Sequence, residues 1–374
     1  MPDMKHPPFR ADQVGSLIRP AGLVAARDEH DAGKIDAARL RAVEDEAIRA
    51  VVAKQEEIGL PVVTDGEFRR GTYSDSFTTA GIAGVSVEIT EQEGWSKSAT
   101  HGHRTARRIP RVVGKIAWRA NQNATDFAML KSVARATAKI TLPGPAYIHY
   151  RAGRDNIDRS AYPSLDEFWA DLVTAYHHEL RALYDAGCRY VQIDETSLVK
   201  LGDPRARQLL ADRGDDWQDL LRVYVDAVNA VVAGAPADMQ IAVHVCRSQD
   251  PSWQADVGYD PIADALFNRM NVGTYLLEYD NPRAGNFEPL RLLPKGKGVV
   301  LGLISSGNPA METVDGLTRR IEEASRYAAL DQLALCPHCG FATSATRSSD
   351  AAEALQWRKL SLVVETSRAV WGGK

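Results

Sequence analysis

Four side chains that favour a soft divalent metal stand at the ends of three hydrophobic runs in this sequence. His244 and Cys246 close the run 241–246, and the period-2 geometry of a strand places both side chains on one face. Glu278 and Cys339 end two further runs. Imidazole and thiolate are preferred zinc ligands, and a catalytic zinc site keeps one replaceable position. The sequence therefore predicts a zinc site in which two cysteines and a histidine leave the fourth place to Glu278 or to an incoming substrate atom.

Cysteine spacing narrows the choice of thiolate ligands. Cys336 and Cys339 form a C-x-x-C pair, which is also typical of half a structural zinc site or of a redox pair. The sequence has no second C-x-x-C, and a redox pair requires a helix after the first cysteine, whereas this motif ends a predicted strand. On a regular strand, residues 336 and 339 face opposite sides, so we expect Cys339 to be the ligand and Cys336 a buried thiol. Cys188 precedes a strand and is expected in the core.

The elements that must hold these side chains alternate along the chain. Strands are predicted at residues 13–17, 61–67, 138–146, 189–195, 240–247, 272–280, 298–305 and 333–340. Helices are predicted at residues 38–58, 165–186, 217–233, 261–270, 314–330 and 349–371. This order favours a (β/α)8 TIM barrel, in which the carboxyl ends of all strands meet at one mouth. The alternative is a doubly wound open sheet, which would spread the polar strand ends along an edge.

One segment interrupts the alternation. Residues 81–135 separate the second and third predicted strands by more than one helix requires. Residues 85–90 alternate in polarity and residues 104–117 are basic and β-branched, which predicts a β-hairpin insertion between strands 2 and 3 that forms a lid over the barrel mouth. We see no internal repeat or domain boundary, so we expect residues 1–374 to form a single catalytic domain.

Composition limits the classes of partner. The chain is 44% apolar and 25% charged, as in a globular protein with a sizeable core. A net charge of −4 gives no reason to expect a nucleic-acid partner. No stretch approaches the roughly 18 apolar residues of a membrane span, and the N-terminus has no signal-peptide pattern. Four cysteines in a chain of this length fit a reducing cytoplasm. The sequence leaves open whether the protein is a homo-oligomer.

The ordered set of motifs resembles the C-terminal catalytic barrel of the cobalamin-independent methionine synthase family. The resemblance extends over nearly the whole chain, and the set is specific although each motif alone is weak. The matching motifs are Val14-Gly15-Ser16-Leu17, Asp65-Gly66-Glu67 with Arg69-Arg70, Val191-Gln192-Ile193-Asp194-Glu195, His244-Val245-Cys246, Glu278 and Pro337-His338-Cys339-Gly340.

The resemblance implies a chemistry and a set of roles. In the synthases, zinc binds the thiol of homocysteine, which then attacks the methyl group of a folate. The residues that would hold Zn²⁺ here are His244, Cys246, Glu278 and Cys339. Those that would hold the carboxylate and ammonium ends of the amino acid are Ser16, Glu67 and Asp194. A free thiol has a pKa of about 8.5, and coordination to zinc deprotonates it into a nucleophile.

Two features depart from the family pattern. We expect no counterpart of the N-terminal barrel of full-length synthases in this sequence, and Ser305 stands where the synthases place a histidine that protonates the departing folate. A serine hydroxyl is a poor acid. The pattern is therefore more similar to short stand-alone members of the family, which include epoxyalkane:thiol transferase-like enzymes.

We therefore expect a zinc-dependent thiol S-methyltransferase similar to methionine synthase, with homocysteine as acceptor. The alkyl donor is expected to be a folate, a methylated small molecule or a methyl-carrier protein. The alternatives are transfer to another thiol, demethylation of a small methylated compound, or a zinc lyase or hydrolase. The predicted catalytic residues are Asp194, Glu67 and Ser305. The predicted substrate-binding residues are Ser16, Glu67, Asp194, Arg70 and Tyr259. An alternative role for the acidic residues is to brace the barrel through ion pairs with Arg69 or Arg70.

Overall fold

The computed structural model describes residues 7–93, 104–248, 254–342 and 349–372. The helices within these residues are α1 (Ala21–Asp31), α2 (Ala37–Glu57), α3 (Gln122–Val133), α4 (Ala146–Ala152), α5 (Leu165–Asp185), α6 (Pro204–Asp212), α7 (Trp217–Ala233), α8 (Val314–Ala324) and α9 (Asp350–Trp371). The strands are β1 (Val62–Val63), β2 (Ile82–Glu93), β3 (Arg104–Trp118), β4 (Thr137–Ala138), β5 (Ile140–Pro143), β6 (Tyr190–Asp194), β7 (Gln240–Val245), β8 (Thr274–Glu278), β9 (Gly298–Ile304) and β10 (Leu333–Pro337).

Parallel pairing organises the strands that hold the site. A six-stranded sheet has the order β10-β9-β8-β7-β6-β5, with parallel pairing between neighbours. β1 and β4 form a further parallel pair, and β4 leads into β5. At the opposite edge, Ala11 forms a parallel bridge with Leu335 of β10. Because the strands are parallel, their carboxyl ends lie on one side of the fold.

The prediction of a strand at residues 13–17 is wrong. Side chains bind the carbonyl groups of this segment in place of a regular ladder. Thr64 Oγ1 donates to Gly15 O at 2.7 Å, and Gln192 Nε2 donates to Val14 O at 2.7 Å. A direct backbone bond follows at Leu17, whose N–H donates to Gly66 O at 3.0 Å. The segment therefore lies beside the chain that leaves β1 without forming regular pairs.

Several helices also differ from the predictions. The predicted helix at 261–270 is a 3-10 turn, Asp260–Ile262, followed by a π turn, Ala265–Arg269. The helices α1, α3, α4 and α6 were not predicted, and α3 lies within the segment 81–135 that was assigned to the hairpin insertion. For α6 the sequence did hold a signal, since Asp203 caps the helix by accepting from Arg205 N and Pro204 occupies the first turn. The predicted cap of α5 is present, with Asp166 N donating to Ser164 Oγ at 3.1 Å.

An antiparallel hairpin of β2 and β3 lies between β1 and β4. Its register sets Ile82 opposite Trp118 and Glu93 opposite Arg104. The Trp118 end is anchored to α5, because Trp118 Nε1 donates to Glu179 Oε2 at 2.8 Å. Residues 94–103 of the predicted insertion lie outside the described residues.

Two hydrophobic clusters lie on the two faces of the parallel strands. The larger one joins the strands to the helices and includes alternate strand residues such as Val191, Val243 and Leu301. The smaller one collects side chains from the other face: Val14, Val62, Tyr190, Ala242, Leu276, Val300, Ala334 and Cys336. This alternation is that of strands buried on both faces. None of the described helices has the length and apolar character needed to cross a membrane.

Candidate metal centre and substrate cavity

The four predicted metal ligands converge beside the carboxyl ends of three strands. His244 is in β7 and Cys246 follows it, Glu278 ends β8, and Cys339 follows β10. Their potential ligand atoms all lie within 4.8 Å of one another, and all four side chains are buried. The sulfur atoms of Cys246 and Cys339 are 3.8 Å apart, and both cysteines are free thiols. The tertiary structure therefore brings two sulfur atoms, an imidazole and a carboxylate to one point.

Three nitrogen and oxygen atoms at this point lack the hydrogen-bond partners that buried groups normally have. Among the described residues, none provides a partner for either ring nitrogen of His244 or for Glu278 Oε1. An unsatisfied buried polar atom costs about 1–3 kcal/mol, so such atoms are rare unless a ligand engages them. Two thiolates, an imidazole and a carboxylate form a set that matches the preferences of Zn²⁺. The residues present therefore fit a bound zinc ion.

A second layer of groups holds Glu278 in position. Arg247 is fully buried, and both its backbone N and its Nε donate to Glu278 Oε2 at 3.1 Å. These bonds occupy one carboxylate oxygen, while Oε1 has no hydrogen-bond partner among the described residues. Burial raises the pKa of Glu278, and the neighbouring Cys246 thiolate adds to that rise while Arg247 opposes it. A cation beside this carboxylate would favour its ionised form.

Tyr259, predicted to bind substrate, has a different place in the structure. Its side chain is fully buried and does not line the cavity described below. The hydroxyl accepts from Glu278 N at 2.7 Å and donates to Val245 O at 3.3 Å. Tyr259 therefore joins the ends of β7 and β8 and acts on the metal ligands only through the backbone.

A cavity of about 400 Å³ opens beside the metal ligands. Its walls include three of the ligands, namely His244, Cys246 and Cys339, and three of the residues predicted to bind substrate, namely Ser16, Glu67 and Asp194. The predicted residues Arg70 and Ser305 do not line it. Some of the predicted site residues therefore line the cavity, and others lie outside it.

Glu67 reaches the cavity through an unusual backbone conformation. Its φ of 58° is in the left-handed region, and it follows Gly66 with a φ of 68°. Such a conformation costs a non-glycine residue about 1–3 kcal/mol and is common at functional sites. Glu67 Oε1 accepts a hydrogen bond from Thr141 Oγ1 at 2.7 Å. Its other oxygen is not engaged in any hydrogen bond within the described part of the chain.

Arg70 supports this carboxylate from behind the cavity wall. It donates to Thr141 Oγ1 at 2.7 Å and to Thr141 O at 2.9 Å, and it lies 3.6 Å from Glu67 Oε1. Arg70 does not line the cavity, and these contacts are of the kind that the bracing alternative expects of it. Arg69 forms its ion pairs elsewhere, with Glu44, Asp45 and Asp126.

Asp194 ends β6 and is held by a chain of buried polar groups. Gln192 Nε2 donates to Asp194 Oδ1 at 2.7 Å, and Lys139 Nζ donates to Gln192 Oε1 at 2.9 Å. Burial raises the pKa of Asp194 to about 7, with the charge of Glu67 adding to the rise and that of His244 opposing it. A bound ammonium group would favour the ionised carboxylate, because opposite charge lowers its pKa.

Ser16 lies against the loop that carries Cys339. A Cβ atom added to Gly340 would be 3.1 Å from Ser16 Cβ and inside the contact distance of Ser16 Oγ. The backbone is joined at the same place, since Phe341 N donates to Ser16 O at 2.8 Å. Because Gly340 has no side chain, the hydroxyl group of Ser16 can pack against the loop that carries Cys339.

Ser305, predicted as a catalytic residue, lies away from the cavity. Its carbonyl accepts from Lys359 Nζ at 2.7 Å, and its N–H donates to Glu312 Oε1 at 2.9 Å. Both bonds are made by backbone atoms, so they tie the end of β9 to α9 and the chain before α8. Ser305 is not among the residues that line the cavity.

Sequence reasoning missed several polar residues that do line the cavity: Arg19, Tyr73, Arg151, Thr196 and Lys200. Their positions did contain a signal. Each follows the carboxyl end of a strand or lies in the segment before α1. Loops at that side of parallel strands are the usual location of functional residues. No motif distinguishes them, so pattern recognition alone did not select them.

The sequence of this chain is similar to those of known proteins over most of its length. The sequence profile of the family described as "Cobalamin-independent synthase, Catalytic domain" matches residues 9–358. The uncharacterized protein YxjH of Bacillus subtilis (strain 168) is 38% identical over 367 residues, which cover 97% of this chain and 95% of that protein. Methionine synthase of Pyrococcus abyssi (strain GE5 / Orsay) is 26% identical over 341 residues, which cover 90% of this chain and 87% of that protein.

A solved structure agrees in fold and length. It is a Listeria monocytogenes protein described as "Putative Vitamin-B12 Independent Methionine Synthase", and it superposes with a TM-score of 0.75 at 34% sequence identity. The superposition covers 97% of this chain and 98% of that one.

Proposed function

Because the chain belongs to the cobalamin-independent methionine synthase family of methyltransferases, we propose that it is a zinc-dependent S-methyltransferase that uses homocysteine as acceptor. The observation that carries this proposal is the convergence of His244, Cys246, Glu278 and Cys339 within 4.8 Å at the wall of a cavity. Such a donor set has little use in a buried site except to bind a soft metal ion.

We further infer that the parallel pairings close a (β/α)8 barrel that forms one catalytic domain. In this arrangement the segment containing Ala11 and Ser16 occupies the place of the first strand, between β10 and β1. The hairpin of β2 and β3 is then an insertion, and we propose that it acts as a lid over the mouth. Buried, free cysteines fit an enzyme of the reducing cytoplasm.

The proposed metal ligands define the chemistry at one end of the cavity. Bound zinc would deprotonate the thiol of the acceptor and hold its sulfur as an electron-rich nucleophile. Glu278 is the oxygen donor among three softer ligands, so it is the ligand best suited to yield its place to sulfur. Arg247 would hold this carboxylate in place throughout, because both of its bonds are made to Oε2 and leave Oε1 unengaged by the described residues.

The acidic residues of the cavity define where the acceptor's amine is held. Glu67 and Asp194 line the same space, and each keeps its carboxylate fixed by a neighbouring donor, Thr141 or Gln192. Two carboxylates beside one another favour a bound ammonium group over a neutral one. We assign the acceptor's carboxylate to Ser16, whose hydroxyl lies beside the Cys339 loop.

The transfer itself requires no redox partner. The sulfur atom of the acceptor forms a bond to the methyl carbon, and the bond from that carbon to the donor breaks with its electron pair on the donor. The donor is a folate, a methylated small molecule or a methyl-carrier protein. We assign no proton transfer to Ser305, since its hydroxyl does not line the cavity.

The decisive experiment measures the metal and its response to a thiol. Purified protein should contain about one zinc per chain, and zinc-edge X-ray absorption should detect an oxygen neighbour replaced by sulfur when homocysteine is added. The variant Cys339→Ser should lose the metal. The matched variant Cys336→Ser should keep the metal, because Cys336 packs in the smaller hydrophobic cluster and is not one of the four proposed ligands. A metal whose neighbours ignore homocysteine and other thiols, but respond to a hydrolase inhibitor, would refute thiol transfer and favour a lyase or hydrolase.

A further inference from the structure

A buried arginine connects the two parts of the cavity that hold opposite ends of the proposed acceptor. Arg19 follows Ser16 in the segment before α1, lines the cavity and is 1% exposed. Its Nη2 donates to Glu67 O at 2.7 Å and to Arg70 O at 3.1 Å. Hydrogen bonds from a charged donor are about twice as strong as those between neutral groups. Arg19 therefore joins the segment of Ser16 firmly to the turn that carries Glu67.

Both peptide groups that flank the Cα atom of Glu67 are bound to this segment. On one side, Gly66 O accepts from Leu17 N at 3.0 Å, and on the other, Glu67 O accepts from Arg19. A peptide group is planar, so the orientations of these two groups define φ and ψ of Glu67. The same two dihedral angles determine the direction in which the side chain leaves the backbone. Leu17 and Arg19 together therefore orient the side chain of Glu67.

The left-handed conformation of Glu67 depends on contacts of this kind. A non-glycine residue keeps a φ of 58° only where the surrounding structure over-determines it. The turn supplies two local bonds: Glu67 N donates to Asp65 Oδ1 at 2.9 Å, and Arg70 N donates to Glu67 O at 3.0 Å. These bonds move with the turn and do not fix its position relative to Ser16. The bond from Arg19 does fix it, because Arg19 belongs to the segment of Ser16.

A second arginine bonds the same turn at other carbonyl groups. Arg27, in α1, donates to Phe68 O and, at 3.4 Å, to Arg70 O. Neither carbonyl belongs to a peptide group that flanks Glu67. Arg27 therefore braces the turn as a whole, whereas Arg19 acts on Glu67 itself. The two arginines provide a matched pair, in which one orients Glu67 and the other supports only the turn around it.

We propose that Arg19 is a positioning residue that places the Glu67 carboxylate at a fixed distance from Ser16 and thereby gives the cavity a preference for thiols that carry an amine. The inference rests on the proposed function, in which Glu67 and Asp194 hold the ammonium group of the acceptor and Ser16 its carboxylate. A carboxylate that is already held in place loses less conformational entropy on binding an ammonium group than a mobile one does. Loss of Arg19 therefore weakens recognition of the amine and leaves the metal ligands and Ser16 in place.

The test compares the affinities of three thiols for the zinc-loaded protein by calorimetric titration. Homocysteine carries both an amine and a carboxylate, 3-aminopropanethiol lacks the carboxylate, and 4-sulfanylbutanoate lacks the amine. In Arg19→Met, the two amine-bearing thiols should bind about tenfold more weakly, as expected for a charged contact that is no longer held in place. The affinity for 4-sulfanylbutanoate should change by less than about threefold, and zinc content should not change. Arg19→Lys retains the charge and should give the same pattern with smaller losses, and it replaces Arg19→Met if that variant does not fold.

Two further variants separate a role through Glu67 from a general effect on the fold. Arg27→Met should lower stability but change none of the three affinities by more than about threefold, because its bonds are made to other carbonyls of the turn. In a Glu67→Gln background, Arg19→Met should have no further effect on the amine-bearing thiols, since the effects of residues that act through one another do not add.

Three other results would overturn the role of Arg19. Equal weakening of all three thiols would show that Arg19 supports the cavity as a whole. Weakening of homocysteine and 4-sulfanylbutanoate alone would mean that Arg19 binds the acceptor's carboxylate directly, in which case the positioning role is wrong while thiol transfer stands. Unchanged affinities in both Arg19 variants would show that Glu67 does not depend on this arginine. If the native chain binds none of the three thiols, the proposed function itself fails, and the inference falls with it.

Discussion

Gln192 donates a hydrogen bond from Nε2 to Oδ1 of Asp194 at 2.7 Å, and Lys139 determines the direction of that bond. The Lys139 ammonium can only donate, so it must face Gln192 Oε1, at 2.9 Å. The amide group of Gln192 is thereby turned with its nitrogen towards Asp194. Lys139 is fully buried and also pairs with Asp12 at 2.7 Å. A charge in the interior of the fold therefore orients a carboxylate at the cavity wall through one intervening amide.

This relay predicts the effect of Gln192→Glu. A second carboxylate beside Asp194 raises the pKa of Asp194 further, because like charges disfavour ionisation. We expect the affinity for homocysteine at neutral pH to fall about tenfold, since the ammonium loses a charged partner. Zinc content should be unchanged. The exposed Gln208→Glu, which lies beside Asp212, is the matched control. Equal homocysteine affinity in both variants would contradict a positioning role for Gln192.

The buried Arg247 predicts a separate effect on the metal. Arg247→Leu removes the bond from its Nε to Glu278 Oε2 and frees that carboxylate to rotate. Loss of such an orienting group typically lowers metal affinity by about 10- to 100-fold. Competition with a chelator would measure this change. Arg283→Leu is the control, because its side chain is 46% exposed and pairs with Asp256 instead. If both variants retain native zinc affinity, Arg247 does not position Glu278.

Close packing at Gly340 predicts a loss of stability in Gly340→Ala. The new methyl group would overlap Ser16 Oγ and lie 3.3 Å from Ser16 N. Overpacking of this kind typically costs about 1–3 kcal/mol in the free energy of unfolding. Urea denaturation would measure it. Gly307→Ala should be neutral by comparison, since no atom of the described residues lies within 4 Å of its added Cβ. The double variant Gly340→Ala, Ser16→Gly should recover most of the loss, and a lack of recovery would indicate another cause.

His149 predicts a dependence of stability on pH. Its side chain is 2% exposed, Nδ1 is 2.9 Å from Tyr224 OH, and burial lowers the pKa of His149 to about 4. The unfolded histidine has a pKa of about 6.5, so between these values the unfolded chain binds a proton that the folded chain does not. The contribution of His149 to the free energy of unfolding is therefore fully present above about pH 6.5. It is lost as the pH falls towards 4, and the total loss is about 3 kcal/mol.

The variant His149→Gln tests this assignment. The difference in the free energy of unfolding between variant and native chain should change by about 3 kcal/mol between neutral and acid pH, as the linkage relation requires. Taking the difference cancels the effect of acid on metal binding, which both chains share. His30→Gln serves as the control, because its side chain is 37% exposed. A difference that does not vary with pH would show that His149 is not the titrating group.

Local geometry made the metal ligands predictable from the sequence. His244 and Cys246 are two positions apart in one strand, and the structure brings them together with Glu278 and Cys339. Cys339, and not Cys336, lies among the four clustered ligands, as expected. The expected reason was regular alternation along one strand, and the strand is not regular there. The register of β10 shifts between Cys336 and Pro337, and Cys336 packs in the smaller hydrophobic cluster with Val300 and Ala334. Strand periodicity therefore predicted that His244 and Cys246 lie together. The register shift in β10, which the sequence did not reveal, determines where Cys336 and Cys339 lie.

Only the tertiary structure decided which polar residues reach the cavity. Tyr259, Arg70 and Ser305 follow strand ends, as the site residues do, yet none of them lines it. Arg151 and Lys200 do line it, although no motif marks them. The spacing along one strand is fixed by the chain's own geometry and can be derived from the sequence. The position of a side chain in a loop depends on contacts with segments distant in sequence, and those contacts exist only once the chain has folded.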